Sequence, residues 1–150
     1  MRMGEIGSQA VYATLQTVTA LTDLVGSRIT NRPFAAEELA YPFCLHYAEP
    51  GGAGYGLAIN SLRLPDTLGL RYVIRLMCEG ESTDPIDPAA DAILQRFSQG
   101  YLVSPPGYQV IARPLEPWPQ ILGAGAIEEG GVIYSETGDF YELEILRTGV

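Results

Sequence analysis

The feature that most constrains the fold of this chain is a change in the spacing of its apolar residues. Over residues 8–25 they recur every three or four positions, the spacing of one face of an α-helix: Val11, Leu15, Val18, Leu21 and Val25. Ser8 is a suitable N-cap residue, and Gly26 is typical of the position that follows a last helical turn. The spacing therefore predicts a helix over residues 8–25, with Thr14 and Thr17 exposed to solvent.

Further along the chain the spacing becomes two, which is typical of β-strands. Residues 71–80 show it most clearly, with one face carrying Tyr72, Ile74, Leu76 and Cys78 and the other Arg71, Val73, Arg75 and Met77. Two arginines beside apolar side chains predict a sheet face that is hydrated or meets a partner. Strands are also predicted at residues 41–49, 108–116 and 130–149, and a short extended piece at residues 28–30.

A second helix is predicted over residues 88–100. Asp87 is placed to cap it, Pro88 suits the first helical position and Gly100 suits its end. Its apolar stripe consists of Ala90, Ile93, Leu94 and Phe97.

The order of these elements predicts an α+β fold, with two helices packed on one face of a mainly antiparallel sheet. The glycine-rich residues 50–70 predict a long hairpin, and residues 117–131 predict irregular structure. No linker or repeat divides residues 1–150, which are expected to form one domain.

Charge and composition argue against some functions. The net charge is −9 and all nine basic residues are arginine, so the chain is a poor candidate for binding phosphates, which needs a basic cluster. No apolar run approaches the roughly 20 residues that span a bilayer. Residues 1–15 lack the apolar core of a signal peptide, which predicts a cytoplasmic protein. In that compartment Cys44 and Cys78 are expected to be buried, reduced thiols.

Side chains that could perform chemistry are present, but their context favours structural roles. Cys44 and His46, two apart on a strand, point in parallel rather than toward each other, so a nucleophile–base pair is not favoured. The GGAGYG segment at residues 51–56 precedes an extended stretch instead of a helix, which disfavours a phosphate-binding loop. Four carboxylate pairs lie in turn-like contexts and are interpreted as solvated or capping groups: Glu37–Glu38, Glu79 with Glu81, Asp84 with Asp87, and Glu128–Glu129. The sequence therefore predicts no catalytic, cofactor or metal site and no enzyme.

An ordered set of motifs resembles the tail-terminator, or tail-completion, proteins of long-tailed (siphovirus-like) phages. The set runs from about residue 8 to residue 147 and comprises ALTDLVGSRI, AYPFCLHY, LRYVIRLMCEG, DPAADAILQRF and GDFYELEI. The resemblance implies a virion structural protein that forms a hexameric ring, caps the tail tube, ends tube growth and joins the tail to the head connector. It further implies a tail tube protein and a head-tail connector or stopper protein as partners. DNA would pass through the ring without specific binding, and the location would be the tail-neck region, or the host cytoplasm during assembly.

Residues for these contacts can be proposed from the sequence. Arginine and aromatic residues are enriched at interfaces, so the expected assembly contacts are Arg28, Tyr55, Arg71, Arg75 and Trp118. Glu142 and Glu144 alternate away from the predicted core and are expected to line an acidic DNA channel that repels the DNA backbone. Two alternatives remain open: another head-tail joining protein of the neck, and a small-molecule-binding α+β domain with a pocket near Cys44, His46 and Cys78.

Overall fold

The computed structural model describes residues 3–31, 40–49, 67–126 and 131–148. These residues form, in order, α1 (Met3–Leu15), α2 (Thr19–Val25), β1 (Ile29–Thr30), β2 (Phe43–Ala48), β3 (Thr67–Glu79), α3 (Asp87–Phe97), β4 (Tyr108–Pro117), β5 (Ile121–Ala126) and β6 (Val132–Arg147). A mainly antiparallel sheet with helices packed on it confirms the α+β fold class. None of these helices is long and apolar enough to cross a membrane. The predicted glycine-rich hairpin lies largely outside the described residues, and Thr67–Leu70, assigned to its end, belong instead to β3.

Strand β6 organises the sheet, since it pairs with three other strands. Along one edge it pairs with β3, from Thr67↔Leu146 to Glu79↔Tyr134. Along its other edge it pairs with β5 at residues 132–136 and with β4 at residues 139–147. The strand order is β1-β2-β3-β6-β4, and β1 and β2 are the parallel pair among the described strands.

The period-two pattern of β3 divides the sheet into two faces, as the sequence predicts. On one face, named the helix face, the side chains pack with residues of all three helices in a single buried cluster. The residues that β3 contributes to this cluster include Tyr72, Ile74, Leu76 and Cys78. The opposite face, named the far face, carries Arg71, Val73, Arg75 and Met77 from β3 and Glu136, Phe140, Glu142 and Glu144 from β6. The alternation thus separates apolar packing on one side from a charged and aromatic surface on the other.

The predicted helix over residues 8–25 is wrong in two respects. It begins earlier, so Ser8 lies within α1 and does not cap it, and it stops after Leu15. The N–H groups of Thr17 and Val18 bond three residues back, at 3.0 and 3.1 Å, which is the tighter spacing of a 3₁₀ turn. Val18 then has an extended backbone (φ −86°, ψ 99°), so α2 begins as a separate helix.

The prediction that Thr14 is exposed is also wrong, whereas Thr17 is exposed as predicted. Thr14 is fully buried. Its Oγ1 donates to the Ala10 carbonyl at 2.7 Å and accepts from the Val103 N–H at 3.0 Å. A hydroxyl with both bonds made can be buried at little cost, and here it ties the segment after α3 to α1.

The second predicted helix is α3, which ends three residues before the predicted residue 100. Asp87 is not its cap: the N-cap position is held by Ile86, with no side-chain capping bond. Asp87 is the first helical residue, where its negative charge is favourable at the positive end of the helix dipole. The helix buries Ala89, Ile93 and Phe97, and Ala90 and Leu94 are partly buried beside them.

Helix α1 approaches the sheet closely at Gly7. A Cβ at this position would lie 2.9 Å from Cδ1 of Ile145 and 3.2 Å from Cδ1 of Leu70. An added Cβ would therefore require the ends of these two side chains to shift.

Residues 117–131, predicted to be irregular, include strand β5. Its pairing with β6 shifts register between Ile121 and Ala124. At this bulge Gly123 adopts φ +65°, which costs glycine no steric strain, and its N–H donates to Ser135 Oγ at 2.9 Å. The glycine- and alanine-rich sequence has no period-two alternation, so its pattern gave no strand signal.

Candidate functional site

Three of the predicted contact residues come together on the far face. The Arg75 guanidinium carbon lies 4.5 Å from the centre of the Trp118 ring. Arg75 Nη2 donates to Glu136 Oε2 at 2.8 Å, and Trp118 Nε1 donates to Glu136 Oε1 at 2.8 Å. Glu136 is only 1% exposed, so its carboxylate is buried with both oxygens bonded.

The third contact residue, Arg71, extends this arrangement. Its guanidinium carbon lies 4.4 Å from the centre of the Phe140 ring, and it forms ion pairs with Glu49 and Glu116. The Phe140 and Trp118 rings are 5.2 Å apart. The four side chains therefore form one continuous row of contacts, in the order Arg71, Phe140, Trp118 and Arg75, named here the arginine–aromatic row.

Electrostatics keep both arginines of the row charged. The hydrogen bond to Glu116 is the main factor that raises the pKa of Arg71. Burial tends to lower the pKa of Arg75, but its hydrogen bonds to Glu136 and Tyr47 outweigh burial and raise the pKa. The row thus combines two aromatic rings with two guanidinium groups that form ion pairs within the chain, a composition that suits contact with protein.

The predicted acidic channel residues lie on this same face. Glu142 is the register partner of Arg71 and forms an ion pair with Arg113 at 2.8 Å. Glu144 is the register partner of Gly69 on β3 and of Ile111 on β4. The structure therefore places both glutamates beside the predicted contact residues, on one surface of mixed charge.

Arg28 lies apart from the row, at the end of the sheet that β1 forms. Its Nε donates to the Pro42 carbonyl at 2.8 Å and its Nη2 to the Leu24 carbonyl at 3.4 Å. It thereby joins the end of α2 to the cis Tyr41–Pro42 peptide before β2. Its charge forms no ion pair with a carboxylate of the described residues. Tyr55, the remaining predicted contact, lies outside the part of the chain that the structure describes.

His46 belongs to a buried chain of hydrogen bonds on the helix face. It is 2% exposed, and its Nδ1 lies 2.7 Å from the Tyr72 hydroxyl, which donates to Ser8 Oγ at 3.2 Å. The tautomer of His46 decides whether its Nδ1 donates to the Tyr72 hydroxyl or accepts from it. Burial lowers the pKa of His46 to about 4, so the ring is neutral at physiological pH. Burial likewise raises the pKa of Cys44 to about 12, so its thiol is not a ready nucleophile.

A cleft of about 320 Å³ opens beside His46. It is lined by side chains of α1 and of the β1 and β2 strands and by the residue that follows β1: Ser8, Gln9, Tyr12, Ile29, Thr30, Asn31 and His46. All of these are uncharged at neutral pH, given the low pKa of His46. Of the three residues near which the sequence predicts a small-molecule pocket, His46 lines this cleft, whereas Cys44 and Cys78 do not. Sequence patterns could not find a cleft that joins three separate elements.

Several large apolar side chains are exposed at the opposite end of the sheet. These side chains come from the end of β4, from β5 and from the start of β6, and they are 37–57% exposed: Leu115, Ile121, Leu122, Val132 and Ile133. The last pair in the β3–β6 ladder is Glu79↔Tyr134, so Val132 and Ile133 extend beyond the end of β3. This set is named the β5 patch. Ile121 and Leu122 lie in residues 117–131, which were predicted to be irregular, whereas Leu115, Val132 and Ile133 lie in predicted strands whose pattern does not indicate that they are exposed.

No protein-family model matches the chain, and a search of curated proteins finds no match. Among the described residues, no group of three or more His, Cys, Asp and Glu side chains converges in a way that could hold a metal ion.

Proposed function

We propose that this chain is a structural protein of a long-tailed phage virion, a tail terminator that forms a ring on the end of the tail tube. In this role it ends tube growth and presents its other side to the head connector. DNA passes through the ring without specific binding. The protein acts through contacts between proteins and carries out no reaction.

The observation that carries this proposal is the β5 patch. Five large apolar side chains are exposed at this end of the sheet, on both of its faces, since Val132 and Ile133 are adjacent on β6 and point to opposite sides. Exposed apolar area of this kind is typical of a surface that contacts another protein. The arginine–aromatic row supplies a second candidate contact surface, since arginine and tryptophan are the residues that most often dominate binding energy.

Two further observations support an assembly role. The resemblance to tail terminators runs from about residue 8 to residue 147, and the described helices and strands in this range form one α+β sheet structure, the class that the resemblance implies. The two side chains most able to take part in a reaction are held in unreactive states. His46 is neutral and hydrogen-bonded to Tyr72, and Cys44 is fully buried with a raised pKa.

Tail morphology tests the proposal. Tails assembled in a phage carrying a stop codon in this gene are expected to have tubes of abnormal length, or tubes that fail to join heads, in electron micrographs. Supplying the protein in trans should restore uniform tails. Normal, head-joined tails in its absence would refute the proposal.

The expected ring is tested separately by mass. Mass photometry of the purified protein, alone and with isolated tail tubes, should reveal a closed oligomer or a tube-end complex. A chain that stays monomeric and never binds tube ends would count against the proposal. If the protein binds head connectors but not tubes, it is instead another joining protein of the neck.

A second candidate function, small-molecule binding, is favoured by the cleft beside His46 alone. Replacing His46 with Ala would remove ligand binding there while leaving assembly intact. Under the tail-terminator proposal the same substitution changes stability without changing the tube-end complex.

A further inference from the structure

We propose that the cleft beside His46 binds an uncharged saccharide. This binding is independent of the proposed ring, and it gives the second candidate function, small-molecule binding, a defined class of ligand.

The lining of the cleft favours an uncharged ligand. Among its described residues there is no Asp, Glu, Lys or Arg, and burial keeps the His46 ring neutral at physiological pH. A carboxylate, phosphate or ammonium group that entered the cleft would lose its water without gaining an ion-pair partner from this lining. The net charge of −9 further disfavours an anion.

The polar side chains of the lining suit a ligand that carries hydroxyl groups. The Ser8 hydroxyl and the amides of Gln9 and Asn31 each combine donor and acceptor capacity. A hydroxyl also donates and accepts, so a ligand with several hydroxyls can pair with these side chains whichever way their hydroxyl or amide groups are turned.

His46 supplies a nitrogen for one of these ligand hydroxyls. Its Nδ1 is engaged 2.7 Å from the Tyr72 hydroxyl, which leaves Nε2 as the ring nitrogen for a ligand in the cleft. In the neutral ring Nε2 accepts when Nδ1 carries the proton, and it donates when Nδ1 does not. A hydroxyl can bond Nε2 in both cases, so the match holds for either tautomer.

Apolar surface in the cleft suits the C–H faces of a sugar ring. The Tyr12 side chain, 40% exposed, lines the cleft, and Ile29 lies in its wall. A sugar ring combines apolar faces with hydrogen-bonding edges, and this lining offers partners for both. The volume of about 320 Å³ lies near the lower end of the range for small-molecule pockets, which suits a small saccharide.

Contacts within the chain hold this lining in place. The Tyr72 hydroxyl bonds both His46 and Ser8, and the Tyr12 and His46 rings are stacked with their centroids 6.2 Å apart. Ile29 is fixed by the pairing of β1 with β2. Side chains that are already ordered lose little further freedom when a ligand binds, so more of their contact energy contributes to affinity.

An NMR titration of the full chain tests the site directly. The chain has one histidine, so the ring nitrogen signals of His46 are assigned without ambiguity. Glucose, galactose, mannose and N-acetylglucosamine are each added up to about 50 mM, a range that covers weak binding. We expect at least one of them to shift the Nε2 signal to saturation and to shift the Nδ1 signal less. If none of these sugars shifts the Nε2 signal, the inference is overturned.

The charged counterparts of the sugar that binds are matched control ligands. For glucose they are glucuronate, which adds a carboxylate, and glucosamine, which adds an ammonium group. Each should bind at least about tenfold more weakly than the neutral sugar, because the lining offers no ion-pair partner. A charged sugar that binds as tightly as its neutral counterpart, with the same shift of Nε2, overturns the neutral class and leaves small-molecule binding standing.

Substitutions in the lining locate the binding. Gln9→Ala should raise the Kd by about fivefold, because it removes a hydrogen-bonding amide. Tyr12→Ala should raise the Kd by about tenfold or more, because it removes the aromatic surface. Gln16→Ala and Tyr101→Ala remove the same groups at exposed positions outside the lining and should leave the Kd unchanged.

The melting temperature of each variant is measured beside its affinity. Gln9 is exposed, so Gln9→Ala tests the site even if Tyr12→Ala does not fold. A Kd that stays the same in every folded lining variant would place the binding elsewhere on the protein and overturn the inference.

Assembly is measured on the same protein by mass, so the two proposals can fail separately. Rings that form while no sugar shifts the Nε2 signal overturn the saccharide site and leave the proposed function standing. Saccharide binding by a protein that forms no ring, with or without tail tubes, leaves the site standing and counts against the proposed function.

Discussion

The two faces of the sheet accommodate polar side chains in opposite ways. On the helix face, burial favours neutral forms: it lowers the pKa of His46 to about 4 and raises the pKa of Cys44 to about 12 and of Asp139 to about 6. On the far face Arg75 remains charged and is paired with Glu136, although Glu136 is almost completely buried. The difference shows that burial alone does not set charge. A charge is retained where a partner with matching geometry is already in place.

The largest expected effect concerns Gly138, which allows the two central strands, β3 and β6, to approach each other closely. A Cβ at this position would lie 2.1 Å from the Ile74 carbonyl oxygen and 2.9 Å from the Arg75 Cα. Both are backbone atoms of β3, so Gly138→Ala would force the strands apart and disturb both faces. We expect a loss of about 4 kcal/mol or more in the free energy of unfolding, measured by chemical denaturation.

Gly4→Ala is the matched control for this substitution. A Cβ on Gly4 would meet no atom within 4 Å, and Gly4 lies in α1. Alanine there should stabilise the protein by up to about 1 kcal/mol. If both variants unfold at the same denaturant concentration, the close approach at Gly138 is not a constraint.

The next effect tests the far face alone. Arg75→Met leaves the Glu136 carboxylate buried without its cation, which is expected to cost about 3 kcal/mol of stability. Arg113→Met removes a pair whose side chains are 67% and 45% exposed, and its cost should stay below about 1 kcal/mol. Equal costs in urea denaturation would mean that the buried pair and the exposed pair do not differ as described.

The helix face is tested by pH through His46. Its pKa in the folded protein, about 4, is below the unfolded value of 6.5, because burial disfavours the charged ring. The folded state therefore binds fewer protons, and stability that is present above pH 6.5 is lost as the pH falls toward 4. The loss should approach about 3 kcal/mol. His46→Gln should flatten this part of the stability profile, and an unchanged slope in the variant would contradict the assignment.

The smallest expected effect has the opposite sign and involves Asp139. Burial, with a smaller contribution from Asp91, raises its pKa from 3.8 to about 6. The folded state therefore holds its proton longer, and stability falls as the pH rises from about 4 to about 6. Since the group is partly solvated, the change should be near 1 kcal/mol. Asp139→Asn should remove this change in stability. The measurement is the difference in unfolding free energy between pH 4 and pH 7. If the variant shows a difference as large as that of the parent protein, another group causes the pH dependence.

The far face could be predicted in part from the sequence. Period two fixes the side of each residue once a strand forms, which is why Arg71 and Arg75 were correctly placed together, with Glu142 and Glu144 away from the core. The break after Leu15 could not be predicted in the same way. The apolar spacing continues through Val18 and both short helices bury the same stripe, so the pattern contains no sign of the turn.

The rest of the candidate site depends on contacts between distant parts of the chain. The arginine–aromatic row needs the β3–β6 register and the position of Trp118 after β4, neither of which a local pattern contains. In the sequence Glu136 resembles an ordinary surface glutamate. Its role depends on the hydrogen bonds that Arg75 and Trp118 donate to its carboxylate, which only the structure shows. Ile121 and Leu122 of the β5 patch were missed because a bulged strand of glycine and alanine gives no alternation.

The position of β6 in the sequence has a consequence for biosynthesis. This strand pairs with β3, β4 and β5, yet the ribosome makes all three before it makes β6. Until residues 132–147 emerge, those strands have edges to pair and no native partner for them. The nascent chain therefore has unpaired strand edges from the time β3 is made until β6 emerges, a period in which chaperones would be most needed and translation pauses would be most harmful.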